Sequence, residues 1–256
     1  MYKNLVLKEI AEHKWKLIIG TIILIILGVT IPITFDYMHD ILPHLEELPL
    51  AIGTGIAKEI NLYLSDYDIY VWAQWNGKNL TQIGTIISLL LGATAIASEV
   101  SRGTIAYLLT KPTSKTKILT TKIIVSVSFI FIFTLISTLA MLIASILANK
   151  GYFGSIVFLG IVPVFVGMIA SYFIALFFSI LCDDSIKAFA YSAGLLILNS
   201  VFGFFSSTQK LSLSYHAKGI DYVINGNLPI LSIIILAIVS IIFGFLSYKK
   251  FIKKEY

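Results

Sequence analysis

Charge is what this sequence has least of. Asp, Glu, Lys and Arg make up 13% of its 256 residues, where a soluble domain carries about 25%. Hydrophobic residues make up 57% of it, and its mean hydropathy is +0.91. This balance excludes a soluble globular protein and predicts an all-α polytopic membrane protein. No polar block is long enough to hide a second, soluble domain. Cysteine is nearly absent: Cys182 stands alone, which excludes an internal disulfide and any multi-cysteine metal site. The chain has no G-x-x-x-x-G-K-[ST] phosphate cradle, no H-E-x-x-H pair and no G-x-S-x-G elbow. His13, His39, His44 and His216 are scattered over loops and tails without ligand spacing. No catalytic residue, bound metal or cofactor is therefore expected in this chain.

What is present is long apolar runs. Taking ~20 residues per crossing, six spans are expected at about 17–35, 80–98, 123–149, 153–182, 188–208 and 228–248. Residues 1–16 read either as a short helix lying on the membrane surface or as a basic tail that orients the first span. On the helical reading Leu5, Val6 and Ile10 share an apolar face whose edge is broken by Glu9 and His13. The first run is too long for the core of a cleaved signal peptide and lacks a small-residue cleavage site, so it is expected to stay in the protein. Residues 36–79 read as an external loop of net charge −5. In it Ile52, Ile56, Ile60 and Leu64 recur at helical spacing, and Tyr67, Tyr70, Trp72 and Trp75 suggest an interfacial aromatic belt. Gly84, Ser88 and Gly92 form a small-xxx-small stripe suited to close helix packing, and Pro163 is expected to kink the fourth span. Ser192, Asn199 and Ser200 on the fifth span are candidates for helix–helix hydrogen bonds or for lining a path.

An even number of spans puts both termini on one side, and charge decides which. That side would hold fourteen of the nineteen Lys and Arg residues, and the opposite side five. Cytoplasmic loops carry the Lys/Arg excess, so both termini and the segment 99–122 are expected inside. The net charge of +5 thus reads as a topology signal rather than a nucleic-acid footprint. Ile- and Lys-rich usage fits a bacterial chain, hence the bacterial cytoplasmic membrane. None of the six runs contains an Asp, Glu, Lys, Arg or His, although ion- and proton-coupled transporters usually keep one at depth. A transporter of this kind most simply takes its energy from a separate subunit.

The segment 99–122 is short, basic and not hydrophobic. Glu99 and Arg102 are three apart and predicted to pair on one helical turn. Ile105, Leu108 and Leu109 form a small apolar face suited to a groove on another protein. Pro112 stops the helix, and Thr113 or Ser114 can cap the next. The residues alone leave two readings open, a docking element and a loop whose lysines only satisfy the charge bias.

The run Ala97-Ser98-Glu99-Val100-Ser101-Arg102-Gly103-Thr104, followed by Leu108-Leu109-Thr110-Lys111-Pro112 and by Lys115-Thr116-Lys117-Ile118-Leu119 with Lys122, resembles the cytoplasmic signature of type-2 ABC-transporter permeases. The six-span plan and basic N-terminal segment fit the same family. The resemblance implies a coupling helix at about Gly103–Thr110. It would seat in a dimeric ABC ATPase subunit, with contacts from Glu99, Arg102, Gly103, Thr104, Ile105, Leu108, Leu109, Lys111 and Pro112. It also implies ATP and Mg in that partner, a second permease subunit (identical or a paralogue), and short helices dipping into the outer leaflet over 209–227. The long 36–79 loop resembles subgroups that export or confer resistance to peptides, such as lantibiotic and bacitracin immunity permeases. The function so implied is ATP-driven export of a cationic or amphipathic peptide. A self-sufficient channel or secondary transporter, and a non-transporting sensor that docks an ATPase, are the alternatives.

Overall fold

The computed structural model describes residues 2–46, 66–110, 113–150, 155–205, 207–219 and 227–255, and these contain helices and no strand. The first, α1 (Tyr2–Glu46), is one uninterrupted helix. At 1.5 Å per residue it is about 68 Å long, more than the 40–45 Å of a whole bilayer. The N-terminal segment is therefore the first turns of span 1 and not a separate helix lying on the surface. Its inward stripe is also not the expected one. Glu9, His13, Gly20, Leu24, Gly28, Ile31 and Phe35 are buried at spacings of three, four and seven, while Ile10 is exposed. The two polar residues that seemed to break the apolar face belong to the buried one.

The helix returns at α2 (Tyr67–Val71), passes through a π-helical stretch over Trp72–Leu80, and continues as α3 (Thr81–Thr94). The expected loop 36–79 thus loses both ends to helix, and the Ile52–Leu64 periodicity lies outside the described residues. The aromatic belt is corrected too: Tyr70, Trp72 and Trp75 are buried. The wider π turn keeps Trp72, Trp75, Asn76 and Leu80 on the inner face. Trp75 Nε1 donates to Thr138 Oγ1 at 3.1 Å and Asn76 Nδ2 to the Val157 carbonyl at 3.1 Å, so these side chains weld helices together rather than float at headgroup depth.

The remaining α-helices are α4 (Ala97–Ser101), α5 (Thr104–Thr110), α6 (Lys115–Leu147), α7 (Ser155–Leu181), α8 (Ser185–Val201), α9 (Leu213–Lys218) and α10 (Ile230–Lys253). Five described helices, α1, α6, α7, α8 and α10, are long and apolar enough to cross a membrane. Pro163 lies inside α7 without ending it. Helices α1 and α6 run parallel in constant register. Glu9 meets Lys122 113 residues on, and a Cβ on Gly28 would meet Met141 Cβ, at the same separation, at 2.9 Å. Lys150 then reaches Asp36 at the far end. The stripe on α3 packs on α7 of the same chain: Gly84 faces Met168, Ser88 is buried, and a Cβ on Gly92 would meet Ala175 at 2.7 Å. Lys254 Nζ donates to the Ile180 carbonyl at 2.8 Å, and Lys115 Nζ to the Lys254 carbonyl at 2.8 Å. The N-terminal turns of α1 and α6, the C-terminal ends of α7 and α10, and the element α4–α5 thus share one end of the bundle.

Near the other end a polar stretch is tied down by two side chains. Asn199 Nδ2 donates to the Leu211 carbonyl at 3.1 Å, and its Oδ1 accepts from Leu213 N–H at 2.7 Å. His216 Nε2 donates to the Lys210 carbonyl at 2.8 Å while Nδ1 pairs with Ser232 Oγ at 2.8 Å. Gly219 takes φ +66° against Pro163, a left-handed turn that glycine adopts without strain. Residues 220–226 lie outside the described residues.

Candidate functional site

The end shared by both termini carries the element on which the rest converges. Helix α3 ends at Thr94, and the chain turns through Ala95-Ile96 before α4 begins. Such a break frees backbone groups that burial would otherwise penalise. The buried Ser179 of α7 takes up three of them: its Oγ accepts from Ile96 N–H at 3.0 Å and Ala97 N–H at 2.8 Å, and donates to the Ala93 carbonyl at 2.8 Å. One hydroxyl thereby fixes where α4 starts.

Glu99 fixes where it points. Its side chain is buried, and one carboxylate oxygen accepts from Lys8 Nζ of α1 at 2.5 Å and from Lys122 Nζ of α6 at 3.3 Å. The other accepts the Thr104 hydroxyl. Lys122, 2% exposed, also reaches Glu9 Oε1 at 2.7 Å, and Lys8 reaches Glu12 at 3.5 Å. Burial alone would push the Glu99 carboxyl up, but the Lys122 charge and the hydrogen bonds from Lys8 and Thr104 outweigh it and bring its pKa down to about 2. The predicted Glu99–Arg102 pair does not form: Glu99 points inward to two lysines, and Arg102 is exposed. Glu9, Glu12 and Glu99 bring carboxylate oxygens within 4.8 Å of one another, a spacing that suits a cation. The ammonium groups of Lys8 and Lys122 already lie among them, so the cluster is an ion-pair network rather than a metal cage.

Beyond α4, Gly103 reverses the chain at φ +70° with open space around it, and α5 follows. Its two faces are the reverse of the expectation. Ile105 and Leu108 are buried in this chain's own core, and Leu108 belongs to the main hydrophobic cluster, so neither is free to fill a partner's groove. The outward face is Arg102, Gly103, Thr104, Ala106, Tyr107 and Thr110, with Tyr107 68% exposed. The side chain of Leu109, and Lys111 and Pro112, lie outside the described residues. Ser114 caps α6, accepting from Lys117 N–H at 3.3 Å. Ser192 and Ser200 bond carbonyls of their own helix, to Ala188 and to Ile197, and Asn199 serves the backbone near α9. These three do not converge on a common site.

Sequence reasoning missed Glu9, Lys122, Lys8 and Ser179. Glu9 and His13, four apart, were the available signal, since two polar residues in register on a helix mark a face of their own. Lys122 stands in the sequence as the base that leads into the third span, and nothing local marks it as buried. Ser179, one serine in a long apolar run, carries no signal without the fold.

A comparison with protein families matches residues 4–223 to the family described as ABC-2 family transporter protein. Comparison with curated proteins and with solved structures gives no match. The match spans the buried network, the α4–α5 element and most of the helices. Members of that family normally work with an ATPase subunit in a membrane complex. The chain belongs to the ABC-2 transporter family, as a permease component of an ABC transporter.

Proposed function

We propose that the chain is the membrane subunit of an ATP-driven exporter in the bacterial cytoplasmic membrane, with α4–α5 as the element that receives its ATPase. The observation that carries this is the contrast within that element. Ser179 and Glu99 hold its inner side to α7, α1 and α6, while Arg102, Thr104, Ala106, Tyr107 and Thr110 are exposed on its outer side. A part fixed so firmly on one side and exposed on the other is built to pass movement between a partner and the helices. Aromatic residues are favoured anchors in interfaces, so Tyr107 is the central contact, in place of the buried Ile105 and Leu108, with Arg102, Thr104 and Ala106 around it. The charge asymmetry of the sequence puts this end in the cytoplasm. ATP and Mg then belong to the ATPase, and closure of its nucleotide sites would tilt α1 and α6 through Glu99.

A second permease subunit, identical or a paralogue, completes the path. Helix α8 is the face offered to it: Ile197 and Leu198 are exposed there, and a Cβ on Gly194 would have nothing within 4 Å, which leaves room for a close helix approach. The substrate is a cationic or amphipathic peptide, drawn by the −5 charge between residues 36 and 79. Screening limits that attraction to ~8 Å at physiological salt.

The test is transport in proteoliposomes holding the permease and its cognate ATPase subunit, with a fluorescent cationic amphipathic peptide as probe. Peptide should move only with the ATPase, ATP and Mg together. Movement without the ATPase would make the chain a self-sufficient channel or secondary transporter. ATP turnover with no movement of this or any anionic or neutral peptide would make it a sensor.

A further inference from the structure

A second charged feature lies at the same end of the bundle and has no part in the docking element. The C-terminal ends of α7 and α10 flank a half-open hollow of about 320 Å³ lined by Ile180, Leu181, Lys250, Lys253 and Lys254. Lys254 is engaged, donating to the Ile180 carbonyl and pairing with Asp183 at 3.4 Å. Asp184 is engaged as the cap of α8, accepting from Ile186 N–H at 2.6 Å. Lys250 and Lys253 are exposed, three residues apart on one face of α10, and form no ion pair among the described residues. Two free ammonium groups therefore converge on one hollow.

Its depth and its apolar wall say what kind of anion fits. The uncharged run of α10 ends at Tyr248, so Lys250 and Lys253 sit just past the hydrocarbon, at headgroup level. Helix side chains lean toward their own N-terminus, which aims these lysines back at the bilayer. One and two turns before Lys250 on the same face, Leu246 and Ile242 are exposed, and Leu181 on α7 is exposed beside the lysines. A phosphate at the lysines thus continues into an apolar track for a chain. Basic pockets between membrane helices bind anionic headgroups.

We propose that this pocket is a binding site for an anionic phospholipid, whose phosphate sits between Lys250 and Lys253 and whose acyl chain lies along Leu181, Leu246 and Ile242. The site lies at headgroup depth whichever way the chain is oriented, so it does not rest on the docking reading. A lipid held there bridges α7 and α10 at the end where Lys254 also ties them together.

The experiment uses the full-length chain in nanodiscs of equimolar phosphatidylglycerol and phosphatidylcholine with identical acyl chains, with retained lipid counted by native mass spectrometry. At about fivefold for each lysine near a membrane surface, phosphatidylglycerol should be retained about 25-fold over phosphatidylcholine. The preference should vanish in Lys250→Gln/Lys253→Gln. It should persist in Lys249→Gln, which removes a charge from the same helix end outside the pocket. Leu181→Trp, which fills the hollow without touching its charge, should release the lipid. Equal retention of both lipids by the unaltered chain overturns the proposal, as does undiminished phosphatidylglycerol in the double variant or in Leu181→Trp. Full displacement of the lipid by excess inorganic phosphate would assign the pocket to a free anion. Loss of self-association, with lipid unchanged, would assign it to a second copy of the chain. Either result overturns the lipid assignment.

Discussion

Lys122 shows how much can depend on one residue in a membrane protein with few charges. It neutralises two carboxylates, Glu9 at 2.7 Å and Glu99 at 3.3 Å, from a buried position. Removing one member of a buried ion pair costs about 3–5 kcal/mol, because the partners stay behind uncompensated. Lys122→Met should therefore lower the thermal midpoint of the purified permease sharply. Glu9→Gln added to it should recover part of the loss, because one stranded charge is gone. Recovery in the double variant separates an electrostatic role from simple packing. Glu99 adds a pH dependence. Its pKa is about 2 in the fold against about 4.3 unfolded, so it is a depressed acid. Its contribution is present above pH 4.3 and is lost as pH falls from there toward 2. Hydrogen exchange over residues 97–110 should rise across that interval, and Glu99→Gln should show the faster exchange already at neutral pH. Glu9 and His13 were visible in the sequence as polar residues in register. That they form the buried face of α1 was not visible, because their partner Lys122 lies 113 positions away and only the parallel packing of α1 on α6 brings it near.

At the scale of elements, the π-helical stretch and the break after α3 do the shaping. Trp75 is fully buried and tied to Thr138, so Trp75→Ala should cost about 3–5 kcal/mol, read as a drop in thermal midpoint. An interfacial belt residue would lose far less. The break at Ala95-Ile96 depends on Ser179. Ser179→Ala leaves two buried N–H groups and a carbonyl without a partner, each at about 1–3 kcal/mol. Local exchange at residues 93–99 should increase well before global unfolding. The sequence located the helical segment after Gly103 because the glycine, the leucines and the proline punctuate it. It left the two faces of that helix reversed. Periodicity says that Ile105 and Leu108 share a face and is silent on whether that face meets a partner or the chain's own core. The long run of α1 was likewise legible as apolar from Leu17 to Phe35. Its continuation in both directions was not, because the buried face of residues 3–16 is made by Glu9 and His13 rather than by apolar residues, and residues 36–40 are exposed.

The whole molecule is a bundle whose helices are joined at one end through a compact charged latch. Helices α1 and α6 are clasped at one end by Glu9–Lys122 and, just past the other end of α6, by Asp36–Lys150. A push on α4–α5 therefore moves two long helices together rather than one. On the proposed reading, Tyr107 and its neighbours on the outer face of α5 receive the ATPase, while Leu108 holds the element to the permease. Co-purification of tagged permease with its ATPase subunit tests this most directly, alongside the thermal midpoint of the permease. Tyr107→Ala should leave that midpoint unchanged and reduce recovered ATPase at least about tenfold, the loss of roughly 1.4 kcal/mol or more of binding. Tyr37→Ala, an equally exposed tyrosine at the far end of α1, should retain the ATPase in full. Leu108→Asp should lower the midpoint itself. If Tyr107→Ala keeps the ATPase at the level of the unaltered chain, α5 is not the docking surface and the account fails.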